Sequence, residues 1–238
     1  MTIATRVLTS RHIVLTALAV AMCAAPVASA DDREVGGGHL VPPDARVDGL
    51  TAGQAMGEAW YRNLTLPVAE NPLFGNGEQC ARLGLDGKVL LAIGFQPCTV
   101  PEGTTVYIIG ITNFCDNVEP EPYFGADEAA QRKCAMVTLA PLVESIQLTV
   151  DGGEPVDLQT RRYEIFSPQR HVQLLADNFL GVPPGPATFT AWGWVAWLKD
   201  LPPGVHTLGT EAVFDDGGVH TWDLVVNVVA DDHGEDDD

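Results

Sequence analysis

Three carboxylates lie close together in one short, proline-containing stretch of the sequence. Asp116, Glu119 and Glu121 belong to CDNVEPEP, which begins at Cys115. Two carboxyl groups held roughly 5 to 9 Å apart can cleave a glycosidic bond, one as general acid and the other as base or nucleophile. The three residues therefore predict a carbohydrate-active hydrolase or lyase as one alternative. The competing interpretation is a solvated acidic loop in an acidic protein.

A second candidate is the stretch AWGWVAWL, which contains three of the five tryptophans of the chain. A strand over residues 193–198 alternates its side chains between two apolar faces, so Trp194 and Trp197 are expected in the core. Trp192 precedes this strand and has no partner in it. It is the one aromatic residue that the sequence predicts as ligand-binding.

Other common catalytic and metal-binding patterns are missing from the sequence. The serines after residue 30, Ser145 and Ser167, lie in no Gly-x-Ser-x-Gly motif. There is no His-Glu-x-x-His motif, and His206 and His220 fall roughly 20 Å apart if DDGG at 215–218 closes a hairpin. No glycine-rich stretch fits a phosphate loop between a strand and a helix. We therefore expect no metal and no cofactor.

Four cysteines are expected to hold the molecule together. Cys80, Cys98, Cys115 and Cys134 are separated by 17, 16 and 18 residues, so no Cys-x-x-Cys pair is available for zinc or redox chemistry. An even number of cysteines in an exported chain argues for two disulfides. Three pairings are possible. We favour the sequential one, Cys80 with Cys98 and Cys115 with Cys134.

The first thirty residues have the pattern of a secretory signal peptide. Arg6 and Arg11 precede an apolar run over 13–20 that is too short to span a bilayer, and Ala28-Ser29-Ala30 is a small-residue cleavage site. Cleavage after Ala30 removes Cys23, and no later segment is apolar enough to span a membrane. We therefore expect a secreted, extracellular protein.

The charge of the processed chain excludes some partners. The full chain has 13 basic and 32 acidic residues, and removing two arginines leaves 11 basic residues and a net charge of −21. Such a charge repels nucleic acid and anionic lipid. Glycines and prolines over 31–49 predict a flexible leader, and the acidic run 231–238 predicts a disordered tail.

The elements that position the candidate residues are predominantly β, in an α+β arrangement. Residues 50–138 are expected to form an α+β half with two short helices, over 55–62 behind a Thr51–Gln54 capping box and over 126–136. Residues 139–230 are expected to form an immunoglobulin-like β-sandwich that packs on this half. The predicted strands are 88–95, 105–112, 145–150, 162–166, 171–175, 193–198, 205–214 and 219–229.

Several strings of the sequence resemble a known group of proteins. WLKDLPPGVHTL, ADNFLGVP, SIQLTVDGGEPV, RRYEIFSP and CTVPEG are similar to segments of secreted bacterial proteins of unassigned function that carry a C-terminal Leu-x-Pro-Gly-x-His-Thr turn and strand. The resemblance covers about residues 51–229. It implies secretion, two disulfides and a β-rich fold, and it supplies no catalytic residue. The chain departs from the pattern at Trp192, where an acidic residue is common.

The residues together favour a secreted, non-catalytic binding or surface-interaction protein. A glycan or another envelope protein is the expected extracellular ligand. The alternative is the carbohydrate-active hydrolase or lyase that uses the carboxylates of the loop over 116–121.

Overall fold

The structure is a computed structural model that describes residues 33–94 and 96–230 of the 238-residue chain. The predicted signal peptide, 1–30, and the predicted acidic tail, 231–238, lie outside the described residues. The described part is mostly β-structure with two α-helices and two disulfides. None of its helices has the length and apolar character needed to cross a membrane.

Both predicted helices are present, and their caps explain where they begin. Helix α1 spans Ala52–Thr65, and the predicted capping box is confirmed because Thr51 and Gln54 bond each other's backbone N–H groups at 3.2 and 2.9 Å. Helix α2 spans Glu128–Val137. Its N-cap is Asp127, whose carboxylate accepts from the N–H of Ala130 at 2.9 Å.

The strands of the described part form two sheets. Their bounds are β1 Arg33–Val35, β2 Gly38–Val41, β3 Cys80–Leu83, β4 Val89–Ala92, β5 Cys98–Pro101, β6 Thr105–Asp116, β7 Val143–Val150, β8 Val156–Asp157, β9 Glu164–Phe166, β10 Arg170–Leu174, β11 Gly185–Lys199, β12 Gly204–Phe214 and β13 Val219–Val229. The eight-stranded sheet has the order β1-β2-β11-β6-β4-β3, with β9 and β10 also paired to β11. The five-stranded sheet has the order β5-β13-β12-β7-β8.

Strand β11 runs through the middle of the larger sheet. It pairs with β6 along one edge and with β2, β9 and β10 along the other. Trp194 and Trp197 are 6% and 0% exposed and belong to the two separate core clusters on opposite faces of the sheet. The prediction of a central strand that is covered on both faces is therefore confirmed, although the strand begins at Gly185 rather than at residue 193.

The two sheets combine segments that the sequence assigned to separate regions. Strands β5 and β6 lie before residue 139, yet β5 pairs with β13 and β6 pairs with β11. The segment predicted as a flexible leader contains β1 and β2, and β2 pairs with the end of β11. Gly36 and Gly37 have positive φ and form the turn between these strands. The structure thus organises the chain differently from a division at residue 139.

The disulfides have the predicted sequential pairing. Cys80–Cys98 joins β3 and β5, which are the edge strands of the two different sheets. Cys115–Cys134 joins the end of β6 to helix α2. One bridge therefore links the sheets to each other, and the second fixes a helix on the larger sheet.

Candidate functional site

The carboxylate loop after β6 is folded around Asp116. This residue is only 1% exposed, and its Oδ1 accepts from the backbone N–H groups of Val118 and Glu119 at 2.8 and 2.7 Å. The backbone N–H of Asp116 donates to the carbonyl of Tyr123, and its carbonyl accepts from the N–H of Gly125. Asp116 therefore holds the loop through hydrogen bonds of its side chain and backbone, and its carboxylate is not accessible to solvent.

Asp116 and Glu119 form a coupled pair of acids. Burial and the negative charge of the neighbouring Asp116 raise the pKa of Glu119 to about 7. Burial also raises the pKa of Asp116, although the hydrogen bonds from the backbone N–H groups of Glu119 and Val118 oppose the shift. Two carboxyl groups so close together in a partly buried site do not readily ionise together, so Glu119 keeps its proton up to a pH of about 7.

This geometry differs from the sugar-cleaving arrangement that the sequence suggested. A glycosidase needs two carboxyl groups several ångströms apart with a sugar between them. The structure instead buries Asp116, places Glu119 close enough for the Asp116 charge to raise its pKa, and leaves Glu121 exposed. The pair suits a role in holding the loop.

Trp192 is fully buried, and this corrects the expectation of an accessible aromatic residue. It lies inside β11, paired with Asn113 on one side and Phe166 on the other. Its Nε1 donates to Glu164 at 2.8 Å, and its ring packs edge-to-face on Trp194 with 4.5 Å between centroids. A ligand role would need an accessible ring. Trp192 instead supports the core.

An apolar pocket of about 540 Å³ is the most ligand-like feature among the described residues. It lies where helix α1, the middle of β6 and the β12–β13 hairpin meet, and its volume is in the range of small-molecule sites. Its apolar lining includes Ala59, Trp60, Leu73, Ile93, Ile108, Ile109, Ile111, Leu139, Leu148, Leu208, Phe214, Trp222 and Leu224. Neither Asp116 nor Glu119 is part of this lining.

The pocket exists because β6 loses a neighbour part of the way along its length. Strand β4 pairs with β6 only as far as Tyr107, whereas β11 pairs with β6 from Val106 to Asp116. The next contact on the β4 side is the single bridge between Asp116 and Phe124. Between these points the chain after Ala92 bends away and leaves one edge of β6 facing the pocket.

A few polar groups lie among the apolar walls. Trp60 donates its Nε1 hydrogen to Oγ1 of Thr112 at 3.0 Å, and both residues line the pocket. Asn63 is 3% exposed and also lines it. Its Nδ2 donates to the carbonyl of Ala59, while its buried Oδ1 accepts no hydrogen bond from the described residues. His220 lies at the exposed end of the pocket. This mixture of apolar walls and a few polar groups is typical of a binding site.

The Leu-x-Pro-Gly-x-His-Thr motif has a structural explanation. His206 is buried, and its two ring nitrogens contact a carboxylate oxygen of Asp151 at 2.7 Å and the carbonyl of Pro202 at 2.8 Å. The other oxygen of Asp151 accepts from the N–H of Thr207 at 2.8 Å. Burial alone would lower the pKa of His206, but the Asp151 and Pro202 contacts and the Asp151 charge raise it above its usual value. The motif therefore ties the β11–β12 turn to the β7–β8 turn.

The predicted hairpin that separates His206 from His220 is present. His206 faces Val226 and His220 faces Ala212, so the two histidines lie far apart on the β12–β13 ribbon. No group of three metal-binding side chains occurs in the part of the chain that the structure describes.

The pocket was not predicted, since its walls come from stretches that are distant from one another in the chain. The only local signal was apolar alternation in the second half of β13, where Trp222, Leu224 and Val226 point to one side. Comparisons of the chain with protein families, with curated proteins and with solved structures give no match.

Proposed function

We propose that the chain is a secreted, non-catalytic binding protein whose ligand occupies the apolar pocket beside β6. The observation that carries this proposal is the pocket itself, about 540 Å³ in volume with apolar walls. Two disulfides agree with an extracellular location. The buried tryptophans of β11 offer no stacking surface to a glycan, so an apolar ligand or an envelope protein suits the site better.

A fluorescent apolar probe tests this proposal. N-phenyl-1-naphthylamine, which is neutral and brightens in apolar surroundings, is expected to bind saturably to the purified protein. Leu73 lines the pocket and is 39% exposed, so Leu73→Trp adds bulk at the mouth without filling the core. We expect this variant to weaken binding about tenfold, a loss of roughly 1.4 kcal/mol.

The matched control is Leu85→Trp. Leu85 is 85% exposed and lies outside the pocket lining, so the same substitution there should leave probe binding unchanged. Equal binding by the two variants, or no saturable binding at all, contradicts the proposal.

The carbohydrate-active hydrolase is the second proposal, and one observation favours it. The pKa of Glu119, raised to about 7, is suitable for a general acid. If this proposal holds, the protein releases reducing sugar from a polysaccharide panel and Glu119→Gln abolishes the release. The non-catalytic proposal expects no release from the unmodified protein.

We further propose that β5 to β13 form an immunoglobulin-like sandwich that begins at Cys98. The order β13-β12-β7 matches the G, F and C strands of one immunoglobulin sheet, and β6-β11-β10 matches the B, E and D strands of the other. Membership in the group of secreted bacterial proteins with the Leu-x-Pro-Gly-x-His-Thr turn belongs to the same proposal. The His206–Asp151 contact gives the histidine of that turn a structural role, which supports this membership.

A further inference from the structure

The free edge of β6 indicates what kind of ligand the pocket accepts. Ala191 of β11 bonds Ser167 on its far side, through both its N–H and its carbonyl. Its partner on β6 is Phe114. In an antiparallel pair, opposite residues either exchange both backbone hydrogen bonds or exchange none. The N–H and carbonyl of Phe114 therefore point away from β11.

The same alternation orients the backbone in the middle of β6. Thr112 lies two residues before Phe114, so its backbone groups also point away from β11. Val195 donates its N–H to Tyr163 on the far side of β11, which places the backbone groups of its partner Ile109 at the free edge too. Ile109 and Thr112 both line the pocket.

These outward groups have no hydrogen-bond partner within residues 33–94 and 96–230. The backbone pairs of β6 on this side end at Tyr107 and resume only at Asp116. Ile109 and Thr112 are half-buried, and backbone N–H and carbonyl groups in apolar surroundings require partners. A ligand that supplies donors and acceptors at the spacing of a strand satisfies them, and a hydrocarbon does not.

The walls of the pocket stand on both sides of the plane of the sheet. Ala59 and Trp60 of α1 cover one face, and Leu148, Leu208 and Leu224 cover the other. A strand placed beside β6 directs its successive side chains to opposite faces. Apolar side chains in such a strand therefore meet an apolar wall on either side.

We propose that the pocket binds an extended polypeptide segment of a partner protein, which adds to the larger sheet as a strand along Ile108 to Thr112 of β6. This inference rests on the proposed function because it names the ligand class of the same pocket. Five residues of strand extend about 17 Å. The buried Oδ1 of Asn63 is a further acceptor beside that path.

The charge of the protein adds a preference for the ends of the segment. The chain carries a formal net charge of −19, and Asp223 lines the pocket. Basic residues flanking the bound segment are therefore attracted, and acidic ones are repelled. The expected partner segment is apolar in the middle, extended and basic at its ends.

Selection from a random decapeptide library on the purified protein, with both disulfides intact, tests this inference. We expect enrichment of peptides with apolar central residues and basic ends. In a synthetic copy of an enriched peptide, N-methylation of alternate residues removes N–H groups from one edge only. One of the two alternate patterns should weaken binding at least about tenfold, and the other should leave it unchanged.

Amide hydrogen exchange measured by NMR adds a readout that needs no variant. Saturating peptide should slow exchange at Ile109 and Thr112 at least about tenfold. Ile111 and Asn113 provide the matched control, because their backbone groups face β11 and are already bonded. Their exchange should not change.

The outcomes separate this inference from the proposed function. If the naphthylamine probe binds and Leu73→Trp weakens it, but no peptide is enriched, the pocket binds ligands and the peptide inference is wrong. If a peptide binds but both N-methylation patterns act equally, or the Thr112 amide is unaffected, strand addition is excluded. If neither probe nor peptide binds, both proposals fail.

Discussion

The neighbouring strands β11 and β6 are both apolar, yet they have different surroundings. Every residue of β11 from Phe189 to Leu198 is buried, and strands lie along both of its edges. In β6 the residues over 111–113 are only half-buried, where its second neighbour is missing. Two apolar strands therefore differ in how deeply they are buried according to what lies beside them.

The largest expected effect comes from breaking the covered strand. Trp197 is fully buried and packs on Tyr107 with 4.8 Å between ring centroids. Its Nε1 donates to the carbonyl of Ala45 at 3.1 Å. Trp197→Ala should lower the free energy of unfolding by about 3 to 5 kcal/mol, measured by urea denaturation. The matched control, Trp222→Ala at the pocket, removes a partly exposed ring and should cost far less. Equal losses of unfolding free energy in the two variants would contradict the difference in burial between β11 and the pocket.

Removing the disulfide at the end of β6 should have the next largest effect. Cys115–Cys134 closes a loop with a sequence separation of 19 and fixes α2 beside the carboxylate loop. The double change Cys115→Ser and Cys134→Ser should lower the free energy of unfolding by about 3 kcal/mol. Naphthylamine binding to the folded variant should survive, since neither cysteine lines the pocket. Loss of binding would show that the covered end of β6 also shapes the open part.

A smaller effect is expected at the turn that leads out of β11. His206→Gln removes a buried group that contacts Asp151 and Pro202, and should cost about 2 kcal/mol at low pH. The folded pKa of His206 is raised, so its stabilising contribution is complete below the unfolded value of about 6.5 and is lost as the pH rises through the folded value. Urea denaturation of both proteins between pH 5 and pH 9 measures this difference. If the difference in unfolding free energy between the unmodified protein and His206→Gln grows with pH, the raised pKa of His206 is contradicted.

The smallest effect is expected at the acid pair that ends β6. The folded pKa of Glu119 is about 7, above the unfolded value of about 4.3, so this group makes the folded state less stable as the pH rises from about 4 to 7. Glu119→Gln removes that dependence and should stabilise the protein above pH 7 by on the order of 1 kcal/mol, because solvent screens part of the interaction. Asp116→Asn, at the buried partner, is the comparison. A Gln variant that is less stable than the unmodified protein at pH 8 would contradict the raised pKa of Glu119.

Local features of the fold could be predicted from sequence because a few neighbouring residues determine them. The Thr51–Gln54 capping box fixes the start of α1, and the predicted sequential pairing of the four cysteines is correct. Alternation correctly placed Trp194 and Trp197 on opposite faces. Each of these inferences depends on contacts within one element or on a covalent bond.

Features that depend on distant strands could not be predicted. Trp192 was placed at a strand entrance because the strand was predicted only over residues 193–198, whereas pairing with β6 and β10 extends β11 back to Gly185. Strands β1 and β2 lie in a glycine-rich segment that resembles a loop, and they form because β2 pairs with β11 and β1 pairs with β2. The pocket depends on the residue at which β4 ends, and the sequence of β6 does not indicate where its pairing with β4 ends.

The position of the free edge between two walls has a consequence for how the protein behaves at high concentration. Open strand edges commonly promote aggregation, because the sheets of two molecules can join edge to edge. Here α1 and the β12–β13 hairpin flank the edge of β6, so they stand between this edge and the sheet of an approaching molecule. The unpaired stretch of β6 is therefore shielded by neighbouring parts of the same molecule from the edge-to-edge joining that open strands otherwise favour.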